Sequence, residues 1–515
     1  MNLTQGLHRS VQQDPDGIAT VCAGRTRTHA ESVDRISRLA AGLTICGIED
    51  GERAAILSLN SDRYHEFLAA TLWAGGVVVP VNLRWSIAEI ADALSEVDAR
   101  VLVVDDAFAG HVPAIREAHP RLEMVIHAGD GPRPQGTLSF ERLISDNEPM
   151  ADVRRGDDDL AAVFYTGGTT GRSKGVMLSH ANLLTSALGV LASEHFLSPG
   201  GVYLHAAPMF HLADLAAWTS QLVRGGTHVM IPMFEPVAVM TAIAEHGITD
   251  VLLVPTMIQL LVDHPRIDEF DLSGLRRIIY GASPMSEGVL NRAVKALPNT
   301  SFTQAYGMTE LSPCATLLLP EDHEHPVRRR SAGRAVLHGE IRIVGPDDDE
   351  LPHGSVGEIC ASGGHVMLGY WNRPDETAQA LRGGWMHTGD GGYMDDEGYV
   401  YIADRIKDMI ITGGENVYSV EVENVLAQHP AVATCAVIGV PDETWGERVH
   451  AVVVPVAGGM LTIEELSTFC RERMSGYKTP RSMELVDGLP LSAAGKVLKR
   501  ELRKPYWAGQ VRAVH

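Results

Sequence analysis

At 515 residues the chain is longer than one ordinary domain, and its 45% hydrophobic and 21% charged residues suit a folded globular protein, not a disordered, collagen-like or membrane-spanning one. Lys and Arg number 43 against 65 Asp and Glu, a formal net charge of −22, which argues against a broad basic surface for nucleic acid or anionic lipid. An anionic ligand must therefore be met locally.

Residues 1–14 lack a charged start followed by an apolar run, and no apolar segment reaches the roughly 18 to 20 residues of a spanning helix; 251–262 comes nearest and is interrupted by Pro255. The expectation is a cytoplasmic protein without integral membrane contact. Cys22, Cys46, Cys314, Cys360, Cys435 and Cys470 show no C-x-x-C spacing and are expected as reduced thiols, mostly in the core. From 54 to 106, short apolar runs (54–59, 77–81, 101–104) alternate with helical patterns (64–73, 87–97). The rhythm returns at 160–165, 228–232, 251–254 and 277–280, which predicts a layered α/β body. Between 333 and 401 the texture changes to short alternating strands and Gly- and Asp-rich turns, predicting a β-rich subdomain. After Asp404 a small α+β unit is predicted, with helices over 419–428 and 463–474 and strands over 434–439 and 450–454. The expected fold class is α/β, with a large domain over 1–402 and a small domain over 403–515.

Four segments carry chemistry. The first runs Thr166-Gly167-Gly168-Thr169-Thr170-Gly171-Arg172-Ser173-Lys174 behind an apolar strand; its glycines let backbone N–H groups approach anionic oxygens, and its hydroxyls and Lys174 add donors and charge, as a polyphosphate requires. The Walker spacing G-x-x-x-x-G-K-[ST] is absent, which disfavours ordinary phosphate-loop chemistry. In the second, Gln304-Ala305-Tyr306-Gly307-Met308-Thr309-Glu310, a ring can stack on a base, a hydroxyl can bond phosphate, and a carboxylate beside a polyphosphate can hold Mg²⁺. The third is Thr388-Gly389-Asp390 followed by Asp404-Arg405 and Gly413-Gly414-Glu415-Asn416, where a carboxylate is the natural acceptor for a ribose diol. The fourth, Ser492-Ala493-Ala494-Gly495-Lys496, offers a point charge suited to a carboxylate and a phosphate held together.

In this order and spacing, with His211 after Pro208-Met209-Phe210, the segments resemble the adenylate-forming superfamily, most closely its acyl-CoA synthetase branch, over about residues 15 to 505. The resemblance implies an ATP- and Mg²⁺-dependent acid:CoA ligase with coenzyme A as co-substrate. Thr166 to Lys174 would hold the β- and γ-phosphates, Gly281-Ala282-Ser283 and Tyr306 would sandwich adenine with Gly307 beside them, Thr309 would touch the α-phosphate, and Glu310 would bind the metal. Asp390 and Arg405 would hold the ribose, and Lys496 would serve the adenylation step. The small domain would then swing about Lys407 and present Gly413, Gly414 and Glu415 to coenzyme A. His211 would gate the acyl pocket, and Trp445-Gly446-Glu447 would be structural.

Two departures stand out. Gly167 replaces a hydroxyl residue common in relatives, and Ala493-Ala494 lack one where relatives often carry it. The resemblance places His211, Met233, 254–256, Gly281, Ala305 and 311–314 around the acyl tail, a mainly apolar set without Lys or Arg. It favours a medium-chain fatty or aromatic acid over a dicarboxylic one. The alternatives are transfer to a carrier-protein phosphopantetheine thiol, and a nucleotide-binding protein that has lost catalysis. The chain sets no oligomeric state, a homodimer being the commonest closed assembly.

Overall fold

A computed structural model describes residues 1–166, 173–283, 285–405, 408–456, 458–459, 461–492 and 497–508. Two large sheets form the body. In one, the strands Ile18–Cys22, Thr227–Met230, Val202–His205, Asp250–Leu253, Arg277–Gly281 and Ser301–Gly307 run parallel side by side, with Arg25–Thr28 and Cys314–Leu318 flanking them antiparallel. In the other, Leu160–Thr166, Val77–Pro80, Arg53–Leu57, Val101–Val104 and Met124–His127 run parallel, and Lys174–Ser179 pairs antiparallel with Leu160–Thr166.

Strands buried on both faces read as continuous apolar runs because helices cover each side. Val101 to Val104 are all buried, as are Val77 to Val79. The helix Asp62–Trp73 lies buried along its whole length between the layers. Its charged residues are accordingly paired: Asp62 with Arg25, Arg63 with Glu141, and Glu66 with Arg35. Ile36, Leu39 and Leu43 of the helix His29–Ile45 join Phe67 and Leu68 in the main core.

The β-rich subdomain is a four-stranded antiparallel sheet of Gly339–Val344, Gly357–Gly363, Met386–Met394 and Val400–Arg405. Beyond it, Ile410–Thr412, Glu415–Val417, Val432–Asp442, Gly446–Pro455 and Ser482–Leu485 make a separate small sheet, covered by the helices Ser419–Leu426 and Ile463–Arg471 over its own apolar cluster. The fold is therefore α/β with a large sheet-containing body and a small C-terminal unit. Among the described residues no helix is long and apolar enough to cross a membrane, and the cysteines are free thiols.

Candidate active site

In open α/β sheets, ligands gather beyond the carboxyl ends of the parallel strands. Arg277–Gly281 and Ser301–Gly307 are register neighbours, with Gly281 opposite Ala305. A Cβ on Gly281 would sit 2.2 Å from the Ala305 carbonyl oxygen, so only glycine lets these backbones approach. Ala282 continues with a positive φ of 65°, turning the chain sharply away. The Gly281-Ala282-Ser283 turn and the Ala305-Tyr306-Gly307 strand end therefore lie side by side.

From that edge the Tyr306 hydroxyl donates to Asp390 Oδ2 at 2.8 Å. Burial, then the neighbouring Asp390 charge, push the Tyr306 phenol well above its ordinary range, so it stays a donor. Asp390 and Arg405 are register partners on adjacent strands, with Arg405 Nε 3.5 Å from Asp390 Oδ1. The turn into Asp390 is fixed by Thr388, whose hydroxyl donates to the Ile359 carbonyl at 2.7 Å and accepts from the Asp390 N–H at 3.1 Å. Gly389 occupies the left-handed region there, with φ 70°.

Thr309–Leu311 forms a short helical turn after the same strand. Glu310 is only 5% exposed; its Oε1 accepts from the Tyr370 hydroxyl at 2.9 Å, and its carbonyl accepts from the Met367 N–H at 2.9 Å. Burial raises the Glu310 carboxyl, against the lowering effect of its backbone bond, Tyr370 and Lys174. One buried carboxylate beside bound phosphates fits Mg²⁺, which is usually held by one or two carboxylates together with phosphate oxygens and water.

Thr166 and Lys174 are register partners at the ends of two antiparallel strands. Lys174 Nζ pairs with Glu376 and lies 4.8 Å from the centre of the Tyr370 ring, so Tyr370 links the lysine to Glu310. Gly167, Gly168, Thr169, Thr170 and Gly171, between Thr166 and Lys174 in sequence, lie outside the described residues, as do Lys407 and Lys496.

His211 caps the helix Leu212–Arg224 with its carbonyl, which accepts from the N–H groups of Asp214 and Leu215. Its Nε2 is buried without a partner among the described residues, and burial, then the Arg84 charge, lower its pKa to about 4. The ring is neutral near pH 7. Val254, Leu311 and Cys314 are buried, whereas Met233 is 57% exposed. Gly413 and Gly414 form the turn of a hairpin in the small unit with φ of 61° and 83°, and Glu415 follows them. The Gly413 N–H donates to the Trp445 carbonyl at 2.8 Å.

Sequence reasoning missed Tyr370, Glu376 and Lys499. Tyr370 arrives through pairing of Gly369–Tyr370 with Lys174–Ser179, a contact between segments nearly 200 residues apart. Its available signal was a ring in the Gly369-Tyr370-Trp371 run.

Known proteins share this sequence family and fold. The model of the AMP-binding enzyme family matches residues 7–371, and that of the AMP-binding enzyme C-terminal domain matches 421–496. A feruloyl-CoA synthase from Amycolatopsis sp is 40% identical, over 97% of this chain and 98% of its own. The fatty acid–[acyl-carrier-protein] ligase ScoC of Streptomyces coeruleorubidus is 36% identical, over 100% and 98%. Among solved structures, ATP-bound MatB from Rhodopseudomonas palustris superposes with a TM-score of 0.89 at 32% identity, covering 98% of this chain and 99% of that one.

Proposed function

Because the chain belongs to the AMP-binding enzyme family, in its acyl-CoA ligase branch, we propose that it activates an uncharged aryl or medium-chain alkyl carboxylic acid with ATP and passes the acyl group to coenzyme A. The chief support is the convergence of Tyr306, Asp390 and Arg405 with Glu310, Tyr370 and Lys174 around one strand edge. The first three offer a ring and a diol acceptor for a nucleoside; the others offer a carboxylate and a cation for phosphates.

In the first half-reaction a carboxylate oxygen of the acid attacks the α-phosphorus in line, the bond to the bridging oxygen breaks, and pyrophosphate leaves. Asp390, oriented by Tyr306, grips the ribose hydroxyls, and Thr166 and Lys174 hold the terminal phosphates. Glu310 would hold Mg²⁺, which supplies charge neutralisation to the phosphate oxygens. Thr309 bonds the α-phosphate, and Lys496 bridges that phosphate and the carboxylate, offsetting the charge that develops between them. In the second half-reaction the small domain turns about Lys407 and brings Gly413, Gly414 and Glu415 toward coenzyme A. The thiol sulfur attacks the acyl carbon, AMP leaves with the former carboxylate oxygen, and the thiol proton passes to solvent.

The neutral His211 and the apolar Val254, Leu311 and Cys314 suit a tail without charge. The feruloyl-CoA synthase at 40% identity favours an aryl acid; ScoC, at 36%, keeps a fatty acid and a carrier-protein acceptor in view.

The test is pyrophosphate release with ATP and Mg²⁺ on ferulate, benzoate and decanoate, with free coenzyme A or a phosphopantetheinyl carrier as acceptor. Consumption of coenzyme A in step with pyrophosphate is expected, strongest on ferulate. Transfer to the carrier alone would replace the acceptor, and ATP binding without acid-dependent pyrophosphate would remove the ligase reading altogether.

A further inference from the structure

Arg84 joins two parts of the chain that the assigned residues leave unconnected. It sits between the strand Val77–Pro80 and the helix Ile87–Glu96, in a turn held on both sides: its N–H donates to Asn82 Oδ1 at 3.0 Å, and Ser86 closes a capping box with Glu89. From this turn Arg84 Nη1 donates to the carbonyl oxygens of Leu491 at 3.1 Å and Ser492 at 2.9 Å. Leu491 and Ser492 come directly before residues 493–496, the segment that includes Lys496. Leu491 bridges Val497 in antiparallel fashion, and the Leu498 N–H donates to the Pro490 carbonyl at 2.8 Å. The described residues on either side of 493–496 are thus tied together, and Lys496 immediately precedes Val497 in sequence. Arg84 also lies near enough to His211 for its charge to lower the pKa of that imidazole.

We propose that Arg84 is a positioning residue for the adenylation step: it grips Leu491 and Ser492, just ahead of Lys496 in the chain, and holds the small domain against the large one until the acyl-adenylate has formed. The proposal rests on the reading of Lys496 given above. The two bonds leave one nitrogen of a rigid, planar guanidinium, a geometry that the flexible stem and ammonium of a lysine do not fix. Both bonds are exposed to solvent. Their loss is therefore repaid by water, as a contact that must open in every turnover requires; a buried ion pair would instead resist release. Because a grip of this kind changes the population of one domain arrangement and not the affinity of the nucleotide site, its removal should act on kcat for adenylation.

The experiment compares wild type, Arg84→Ala, Arg84→Lys and Lys496→Ala in acid-dependent exchange of pyrophosphate into ATP, without coenzyme A, on ferulate, benzoate and decanoate. Arg84→Ala is expected to lower kcat for exchange about tenfold with KM for ATP within about twofold, and Arg84→Lys to recover part of the loss. Nitroxide labels on Ile45→Cys and Leu485→Cys, exposed positions of the large and small domains, should give a distance distribution in ATP and Mg²⁺ that broadens in Arg84→Ala. Full exchange in Arg84→Ala, or an unchanged distribution, would overturn the role of Arg84 while Lys496→Ala remained inactive. Retained exchange in Lys496→Ala would instead remove the reading on which the role rests, and silence of the wild type on all three acids would remove the ligase reading itself.

Discussion

The Tyr370 hydroxyl lies 2.9 Å from Glu310 Oε1 and supplies a hydrogen bond to a carboxylate that burial drives toward protonation. Tyr370→Phe removes a donor that favours the charged form, so the Glu310 pKa rises further. The acid limb of the pH–rate profile should move to higher pH, and the Mg²⁺ concentration for half-maximal pyrophosphate release should rise several-fold. An unchanged Mg²⁺ dependence in a folded variant would detach Glu310 from the metal.

The bond from Tyr306 to Asp390 gives a second expectation. Asp390→Ala removes the ribose acceptor and the partner of Arg405 together, so ATP binding by calorimetry should weaken at least tenfold. Tyr306→Phe leaves the carboxylate in place but unoriented and should lose less, on the order of one hydrogen bond or about 1 kcal/mol. Equal affinities in wild type and Asp390→Ala would take the residue out of the nucleotide site.

Much of this arrangement is legible in the sequence, for a definable reason. Apolar runs such as 101–104 and 160–165 coincide with strands to within a residue because both faces are covered, so every position is apolar. The strand Val432–Asp442 overruns its expected 434–439 because its far end is completed by pairing of Pro441 and Asp442 with Glu447 and Gly446. The helix His29–Ile45 had a usable signal in the Thr28–Glu31 capping box. At the site, Tyr306, Glu310, Asp390 and Arg405 stand in contiguous motifs that local spacing can pick out. Tyr370 and Arg84 do not, since each acquires its partner only when distant segments meet.

Lys499 carries a structural prediction for the small unit. It is partly buried, and its Nζ lies 2.7 Å from Glu423 Oε1 and bonds the Ser419 hydroxyl, which in turn bonds Asp404 beside the proposed hinge. Desolvation lowers the Lys499 pKa, yet the charges of Glu423 and Asp404 outweigh it and hold the ammonium protonated. Lys499→Met leaves the buried Asp404 and the partly exposed Glu423 without their cation, a loss below the roughly 3 to 5 kcal/mol of a fully buried broken pair. Thermal unfolding should show the small unit melting first, with the large domain little changed. A single transition at the wild-type temperature would refute the account.

The buried histidines set the acid limit of the large domain. His65 accepts the Trp218 indole N–H at 2.9 Å, and its ring lies 4.9 Å from that of His228. His228 Nδ1 is 3.0 Å from His205 Nε2, whose other nitrogen meets Asp214 at 2.6 Å. Burial first, then the neighbouring His205, lower the His65 pKa to about 3, and burial takes His228 well below its ordinary value. Both are therefore neutral when folded, whereas in the unfolded chain they titrate near 6.5. Between those values the unfolded state binds more protons, so stability is full above about pH 6.5 and falls as pH drops toward 3. For His65 alone, the loss from pH 6.5 to 5 is about 2 kcal/mol. His65→Gln can still accept from Trp218 but cannot charge; it should flatten the decline of the urea midpoint between pH 7 and 5, and an equally steep decline would place the acid sensitivity elsewhere.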